Sequence, residues 1–211
     1  VVDGFGSGRL YATLLNQKNI NVYHVQSMED VPEYFRKNFD ESQYKGNFLY
    51  TGDYDRLLGE LRSIEGLTVV VPGCDTGVVL ADLLSEDLGT PTNGRFKSSS
   101  RRNKFDMVEA LCASGIRAAM TYRVESLAEL ESISEQLGLP AVLKPCESAG
   151  SDGVYICKTK AEQVEAFSKI HRELNMFGSV NDHVMAQQVL VGKQYIVNTV
   201  SYDSQHFIAE I

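Results

Sequence analysis

The stretch LPAVLKPCESAGSDGVYICKT, residues 139–159, joins two apolar runs through a loop of glycine, serine and acidic residues. The pattern predicts strands over 141–145 and 153–157 with a hairpin loop between them. Lys144 lies near the end of the first run. A fixed cation beside a loop of backbone N–H groups is what a polyphosphate requires, because such a loop can also cover the phosphates and exclude water. The alternative is a solvent-exposed hairpin, since many hairpins carry glycine and serine.

Composition describes a globular protein and argues against several functional classes. The 211 residues are 43% hydrophobic and 23% charged, as expected of one large or two small domains with a real core. The net charge of −8 and the thin spread of Lys and Arg argue against nucleic-acid binding. No apolar run reaches the roughly 18 residues that would span a membrane. Four cysteines without metal-ligand spacing predict reduced thiols in a cytoplasmic protein.

The chain opens on VVDGFG, with neither a signal-peptide pattern nor an initiator Met, which predicts a start at a domain edge. Short apolar runs then alternate with helical patterns, which predicts an α/β fold. Residues 1–93 are predicted to form a small doubly wound unit. The strands expected there are 1–3, 22–26, 47–50 and 67–71; the helices are 9–18, 54–63 and a third, capped by Asp75 or Thr76, that ends near 87.

The rest of the chain, residues 94–211, is predicted to form a β-rich α+β unit. A polar linker is expected over 94–100, and a capping box of Ser126 and Glu129 is expected to open a helix over 126–137. The other elements expected are helices over 102–114 and 159–174, strands over 118–122 and 184–189, and a hairpin of 194–202 with 206–211 around Asp203 and Ser204.

The turn GFGSG, residues 4–8, raises the alternative of a dinucleotide-binding oxidoreductase. Its spacing is G-x-G-x-G instead of G-x-G-x-x-G, and Gln26 stands where the fingerprint places an acidic residue. The turn is therefore interpreted as a tight βα connection. No Walker A or G-x-S-x-G sequence occurs, which argues against a P-loop NTPase and an α/β-hydrolase.

Two further segments accompany the hairpin loop. Lys104 follows Arg-Arg-Asn in a predicted amphipathic helix upstream of Lys144. The segment MAQQVLVGKQYIV, residues 185–197, passes from one predicted strand through a connector with Gly192 into another. Such a connector can offer a backbone C=O and N–H to the edge of an adenine base.

In this order the segments resemble the ATP-grasp ligases, and the resemblance covers essentially the whole chain. It is carried by RRNKFDMVEALCASGI, LPAVLKP, CESAGSDGV and AQQVLVGKQYIVNTVS. VVDGFGSGRLYATLL and VPGCDTGVVLADLLSEDLGTPTN resemble the preceding domain of the carboxylate–amine branch, which includes the dipeptide-forming L-amino-acid ligases. The resemblance implies a Rossmann-like pre-ATP-grasp domain over 1–93 and the amino-terminal portion of an ATP-grasp domain over 94–211, an incomplete ATP-grasp fold.

The resemblance also implies an ATP site. Lys104 and Lys144 would contact the phosphates, with Lys144 also near the adenine. The loop that would close over the phosphates comprises Glu147, Ser148, Ala149, Gly150, Ser151, Asp152 and Gly153. Gln187 would face the adenine amino group, the Gln188 carbonyl and Leu190 N–H would bracket the adenine edge, and Gln194 would face the ribose hydroxyls. Relatives usually carry Glu at Gln194 and at Gln187 or Gln188, and a carboxylate accepts two ribose hydroxyls better than an amide, so weaker nucleotide binding is expected.

The implied reaction is ATP-dependent joining of a small amino-acid-like carboxylate to an amine through an acyl phosphate. Its cofactor is Mg²⁺, whose ligands, like the usual catalytic Arg, are expected beyond Ile211; no catalytic residue and no metal ligand is assigned within the chain. The chain is therefore expected to supply one wall of the site and to be inactive alone. A homodimer through the first domain is expected by analogy. The alternative is a non-catalytic or degenerate nucleotide-binding regulatory module.

Overall fold

The structure is a computed structural model that describes residues 1–211. The helices are α1 (Arg9–Asn16), α2 (Glu33–Arg36), α3 (Tyr54–Arg62), α4 (Val78–Asp87), α5 (Ser98–Arg102), α6 (Lys104–Ala113), α7 (Leu127–Leu137) and α8 (Lys160–Ile170). The strands are β1 (His24–Gln26), β2 (Asn47–Leu49), β3 (Thr121–Val124), β4 (Ala141–Pro145), β5 (Tyr155–Cys157), β6 (Val184–Gln188), β7 (Asn198–Tyr202) and β8 (Gln205–Glu210). The mixed α/β architecture predicted from the sequence is confirmed, and no helix has the length and apolarity to cross a membrane.

The amino-terminal part of the chain is built on a small parallel sheet. β1 and β2 pair in parallel, and Val2 bridges Val25 on one side and Pro72 on the other, also in parallel. The order across this sheet is therefore β2, β1, residue 2 and residue 72, which is the order of one half of a doubly wound fold. Helices α3 and α4 pack their leucines, among them Leu57 and Leu84, onto Val2 and Val25.

The strand predicted over 67–71 is wrong in its extent. The chain there makes a bridge at Pro72, supported by bonds from Val2 N to the Val71 oxygen (2.9 Å) and from Gly73 N to the Val2 oxygen (2.7 Å). Val69 is 46% exposed, so this segment is not buried on both faces. The strand predicted over 1–3 is likewise reduced to bridges at Val2.

The predicted cap of the third helix is also wrong. α4 is preceded by a 3-10 turn over Asp75–Gly77, and no side chain caps it. Thr76 instead donates its hydroxyl to the buried carboxylate of Asp3 at 2.5 Å, and the Ser27 backbone N–H donates to the same carboxylate at 2.7 Å. A buried carboxylate must be hydrogen-bonded, so Asp3 takes the hydroxyl that the helix end would otherwise use.

The carboxy-terminal part is built on an antiparallel sheet in the order β3–β6–β4–β5. Its core joins residues of β4 and β6, such as Leu143 and Ala186, to α7 and α8 residues such as Leu130 and Phe167. Ser126 caps α7 by accepting from Glu129 N at 3.2 Å, as the capping-box pattern predicts. The helices thus cover one face of the sheet and leave the other face for the site.

The polar segment predicted as a linker over 94–100 is partly helical. It forms a 3-10 turn over Arg95–Lys97 and runs into α5. Arg101 of α5 donates to the buried Asp82 of α4 at 2.7 Å, and Ser98 donates to the same carboxylate oxygen at 2.5 Å. A buried carboxylate of α4 therefore holds α5 against the amino-terminal sheet's helical layer.

β7 and β8 form the predicted hairpin, with both turn residues, Asp203 and Ser204, at positive φ. Such φ values fit the twist of a two-residue hairpin turn. β7 and β8 pair with each other and with no other strand, and every residue of both is exposed.

The turn over residues 4–8 uses glycine for packing. Gly8 has an ordinary helical φ of −61°, but a Cβ there would overlap the carbonyl oxygen of Gly73. Phe5 of the same turn is buried. The glycine at this position therefore permits backbone-to-backbone contact, in keeping with the tight βα connection predicted from the sequence.

We expect Gly8→Ala to destabilise the protein by about 2 kcal/mol, because the new methyl group meets backbone that cannot move aside. Gly59→Ala is the matched control, since Gly59 lies in the exposed face of α3 with open space around it. That control should be stabilised by about 0.5–1 kcal/mol through helix propensity. Urea unfolding of the three proteins measures both changes, and an equal effect of the two substitutions would contradict the packing role of Gly8.

Candidate functional site

A cavity of about 230 Å³ lies where β4, the start of α6 and the loop after β4 meet. Its lining residues are Lys104, Lys144, Pro145, Ser148, Ala149, Gly150, Ser151, Asp152 and Val154. The structure therefore brings both predicted phosphate-binding lysines and most of the predicted loop together around one space. Glu147 and Gly153, the two ends of that loop, do not line the cavity.

Lys144 reaches the cavity because of the pleat of β4. Ala141 and Leu143 are buried in the core, so Val142 and Lys144 point to the opposite face. On that face the Lys144 Nζ donates to Gln187 Oε1 at 2.9 Å, and Gln187 Nε2 donates to the Thr121 hydroxyl at 2.9 Å. Lysine can only donate, so it fixes which end of the Gln187 amide faces it.

Lys104 enters the cavity from the first turn of α6. Asn103 separates α5 from α6 with extended backbone, and its side chain accepts from Phe105 N (3.0 Å) and Asp106 N (3.2 Å). The helix predicted over 102–114 is therefore confirmed as α6, but it begins after the N-cap at Asn103, and Arg102 instead ends α5. Lys104 N donates to the Cys146 carbonyl at 2.9 Å, and its Nζ donates to the Ser148 carbonyl. One residue thus holds the loop through both its backbone and its side chain.

Burial and neighbouring positive charge both disfavour the charged form of the two lysines. Burial lowers the pKa of Lys104, and the nearby Arg102 guanidinium lowers it further. Burial also lowers the pKa of Lys144, with the charge of Lys104 as the next cause. Gln187, the side chain bonded to Lys144, carries no charge to offset these effects. An anion in the cavity would relieve both the burial cost and the repulsion between the lysines.

Internal bonds fix the shape of the loop. Asp152 accepts from the Ser148 hydroxyl at 2.7 Å and from Met176 N at 3.0 Å, so its carboxylate is engaged within the protein. The Glu147 carbonyl accepts from the buried Asn175 side chain at 2.9 Å. The backbone at Gly150 has a φ of 59°, and the next residue, Ser151, also has a positive φ, so the loop tip turns back sharply.

The residues predicted to surround the adenine are placed differently. Gln187 is half-buried and bonded to Lys144, whereas Gln188 ends β6 with an exposed side chain and donates its backbone N–H to the Met120 carbonyl at 2.9 Å. Leu190 is 74% exposed and Gln194 is exposed, and neither lines the cavity. The structure thus connects Gln187 to the site, and leaves the other three on the surface beside it; their assignment to adenine and ribose stays a prediction.

Sequence reasoning missed four residues that shape the cavity. Thr121 orients Gln187, Asn103 caps α6, Asn175 holds the loop backbone, and Arg102 lies beside Glu147 at 3.7 Å. Only Asn103 carried a usable signal, as an N-cap residue directly before a helical pattern. The others depend on contacts between residues far apart in the sequence.

The side chains around the cavity fit a polyphosphate but not Mg²⁺ alone. Among the described residues, no group of three or more His, Cys, Asp and Glu side chains is arranged to hold a metal ion. Asp152 is the one carboxylate that lines the cavity, and it is already hydrogen-bonded. Mg²⁺ prefers several oxygen ligands in octahedral geometry, which these residues do not supply.

No protein-family model matches the sequence. Dapdiamide A synthase of Enterobacter agglomerans is 28% identical over 215 residues, which cover 100% of this chain and 50% of that protein. Among solved structures, the L-amino acid ligase from Bacillus licheniformis superposes with a TM-score of 0.69 at 16% identity, covering 94% of this chain and 45% of that one. The fold is that of the ATP-grasp enzymes.

A second solved ATP-grasp structure gives the same result. N5-carboxyaminoimidazole synthetase from Staphylococcus aureus, complexed with ADP, has a TM-score of 0.63 at 15% identity, covering 94% of this chain and 47% of that one. The chain therefore spans about half the length of the relatives that it matches. The ATP-grasp fold predicted from RRNKFDMVEALCASGI, LPAVLKP and AQQVLVGKQYIVNTVS is confirmed.

We expect Lys104→Met to raise the pKa of Lys144, because it removes the positive charge that lowers that pKa after burial. Side-chain ¹⁵N NMR of the lysines as a function of pH measures the change. Lys169→Met is the control, since Lys169 lies on α8 in an exposed pair with Glu165. An unchanged or lower Lys144 pKa in Lys104→Met would show that the two ammonium groups do not interact.

Proposed function

We propose that this chain is the nucleotide-binding half of an ATP-dependent carboxylate–amine ligase. The observation that carries the proposal is the convergence of Lys104, Lys144 and the loop 147–153 on one cavity, whose single lining carboxylate, Asp152, is already hydrogen-bonded within the loop. Two ammonium groups and a glycine-containing loop make a site for a polyphosphate. In this proposal residues 1–93 are the pre-ATP-grasp domain and residues 94–211 are the amino-terminal portion of the ATP-grasp domain.

The base of the nucleotide is proposed to lie beyond Lys144, toward the carboxy-terminal end of β6. Gln187 is bonded to Lys144 there, and the chain after Gln188 makes no regular hydrogen-bond ladder until β7. Leu190 lies after β6, outside the strand pairing, so its backbone N–H can bond the edge of a base. Gln188 ends β6 opposite Ala141 with its N–H on Met120, so only its carbonyl is proposed to face the base. The exposed Gln194 lies further along the same segment and would bond the ribose.

The reaction proposed is the two-step formation of a C–N bond. A carboxylate oxygen attacks the γ-phosphorus of ATP and ADP leaves; an amine then attacks the acyl phosphate, and the C–O bond breaks to release phosphate. Lys104 and Lys144 stabilise the negative charge of the phosphates, and the loop limits the access of water to the acyl phosphate. Mg²⁺ would further neutralise the phosphates, with ligands supplied from outside this chain.

The exposure of the β7–β8 hairpin supports the proposal that this chain is part of a larger protein. Val200, Phe207 and Ile208 are each more than half exposed on β7 and β8. Exposed apolar hairpins are liable to aggregate unless another element covers them. We infer that the remaining part of a protein about twice this length packs against the hairpin and completes the site.

The proposed substrates are an amino-acid-like carboxylate and an amine, a class suggested by the names of the synthase and the ligase described above. A homodimer and a cytoplasmic location stay predictions. A non-catalytic nucleotide-binding module would share the ATP site but would not turn over; it is less favoured because the relatives are named as ligases and synthases.

Calorimetric titration with ATP and ADP, with and without Mg²⁺, tests the nucleotide site, with NAD⁺ as the comparison ligand. We expect adenine nucleotides to bind. Lys144→Ala should weaken ATP binding by about tenfold or more, because a charged hydrogen-bond partner of the phosphates is lost. Lys169→Ala should bind as the unmodified protein does. Equal ATP binding by Lys144→Ala would exclude the proposed site.

Turnover requires the longer protein. ADP release that depends on both an amino acid and an amine would separate a ligase from the non-catalytic module. Nucleotide binding without any such release, across a panel of amino acids, would favour the module.

A further inference from the structure

We propose that Arg102 is a positioning residue that couples the amino-terminal unit to the cavity loop. The coupling runs through the Arg102 cluster, defined here as Phe35, Phe177, Arg102 and Glu147. This inference deepens the proposed function, and its consequence for nucleotide binding rests on that function.

Arg102 is held on several sides although it lies at the end of a five-residue helix. Its guanidinium carbon lies 4.7 Å from the centre of the Phe177 ring. Its nitrogens lie 3.7 Å from a Glu147 carboxylate oxygen and 4.0 Å from an Asp75 carboxylate oxygen. The side chain is only 11% exposed, whereas the two carboxylates are 45% and 58% exposed. The arginine is therefore the buried centre of the group and the acids are its periphery.

The cluster joins parts of the chain that are far apart in sequence. Phe177 stacks on Phe35 of α2 with 5.8 Å between ring centres, and both rings are buried with Phe5 and Val31. Phe35 belongs to the amino-terminal unit, while Phe177 lies in the turn after α8. Ala149 of the cavity loop packs against the same apolar group. The amino-terminal unit thus contacts the loop directly as well as through Arg102.

Glu147 is the point at which the cluster meets the loop. Its carboxylate accepts from Asn103 at 3.3 Å and faces Arg102, and its carbonyl accepts from Asn175 at 2.9 Å. Ser148, the next residue, offers its carbonyl to Lys104. A shift of Glu147 would therefore move the part of the loop that holds Lys104.

An arginine suits this position because its planar group can stack on Phe177 while its edges face two carboxylates. The neighbouring Arg101 points to Asp82 on the other side of α5. Consecutive arginines thus bind α5 to two different neighbours, which fixes the short helix between the amino-terminal helices and the cavity loop.

Hydrogen exchange of the loop amides tests the coupling without any ligand. We expect Arg102→Met, which keeps the length of the side chain, to speed exchange over 147–153 by about tenfold relative to the unmodified protein. Phe177→Leu, which keeps the charge of Arg102, should speed exchange of the same amides. Arg117→Met, a matched change at an exposed arginine, should leave them unchanged. Unchanged loop exchange in Arg102→Met, or equal acceleration along the whole chain, would overturn the proposal.

Nucleotide affinities separate positioning from general loss of structure. Arg102→Met should weaken ATP binding about fivefold more than AMP binding, because the loop would contact the terminal phosphates, which AMP lacks. Equal weakening of the two nucleotides would overturn the positioning role. If the unmodified protein binds neither nucleotide, the proposed function fails, and the exchange comparison still decides whether Arg102 holds the loop.

Discussion

The pleat of β4 is the constraint on which the candidate site depends. Because Ala141 and Leu143 are buried in the core with residues of α7 and α8, the alternation of the strand directs Lys144 to the opposite face of the sheet. A shift of one residue in register would bury the ammonium group and expose the leucine, so the core and the cavity specify the same register. The antiparallel pairing of β4 with β6 then sets Gln187 beside Lys144.

The cavity is electrostatically incomplete as it stands. Two lysines and an arginine lie close together, the pKa of each lysine is lowered, and the hydrogen-bond partner of Lys144 is a neutral amide. The carboxylate that lines the cavity, Asp152, is bound by a hydroxyl and a backbone N–H. Such an arrangement carries an electrostatic cost that an anionic ligand offsets. The neutral Gln187 forms no ion pair with Lys144, so the ammonium charge favours a highly charged ligand.

Helix α5, which connects the two sheets along the chain, also holds them together through its side chains. Arg101 and Arg102 leave α5 in different directions, one to a buried aspartate of α4 and the other to an aromatic ring and the base of the cavity loop. Charged side chains in these positions need good geometry to offset their desolvation, which favours one orientation of the two sheets. The loop over the cavity is therefore supported by the amino-terminal unit as well as by its own hairpin.

The sequence by itself determined the order of most of the elements, the strand that carries Lys144, the cap of α7 and the hairpin turn at Asp203 and Ser204. These features follow from local periodicity and from residues whose backbone preferences act within a few positions. The resemblance of the lysine-bearing segments added the ATP-grasp fold. Tertiary structure alone decided that Thr76 donates its hydroxyl to Asp3 instead of capping a helix. It also decided that residues 94–100 form a 3-10 turn and the start of α5, and that Thr121, Asn175 and Arg102 support the cavity. Each of these depends on burial or on a partner distant in sequence, and a single sequence contains no signal for contacts that only folding brings together.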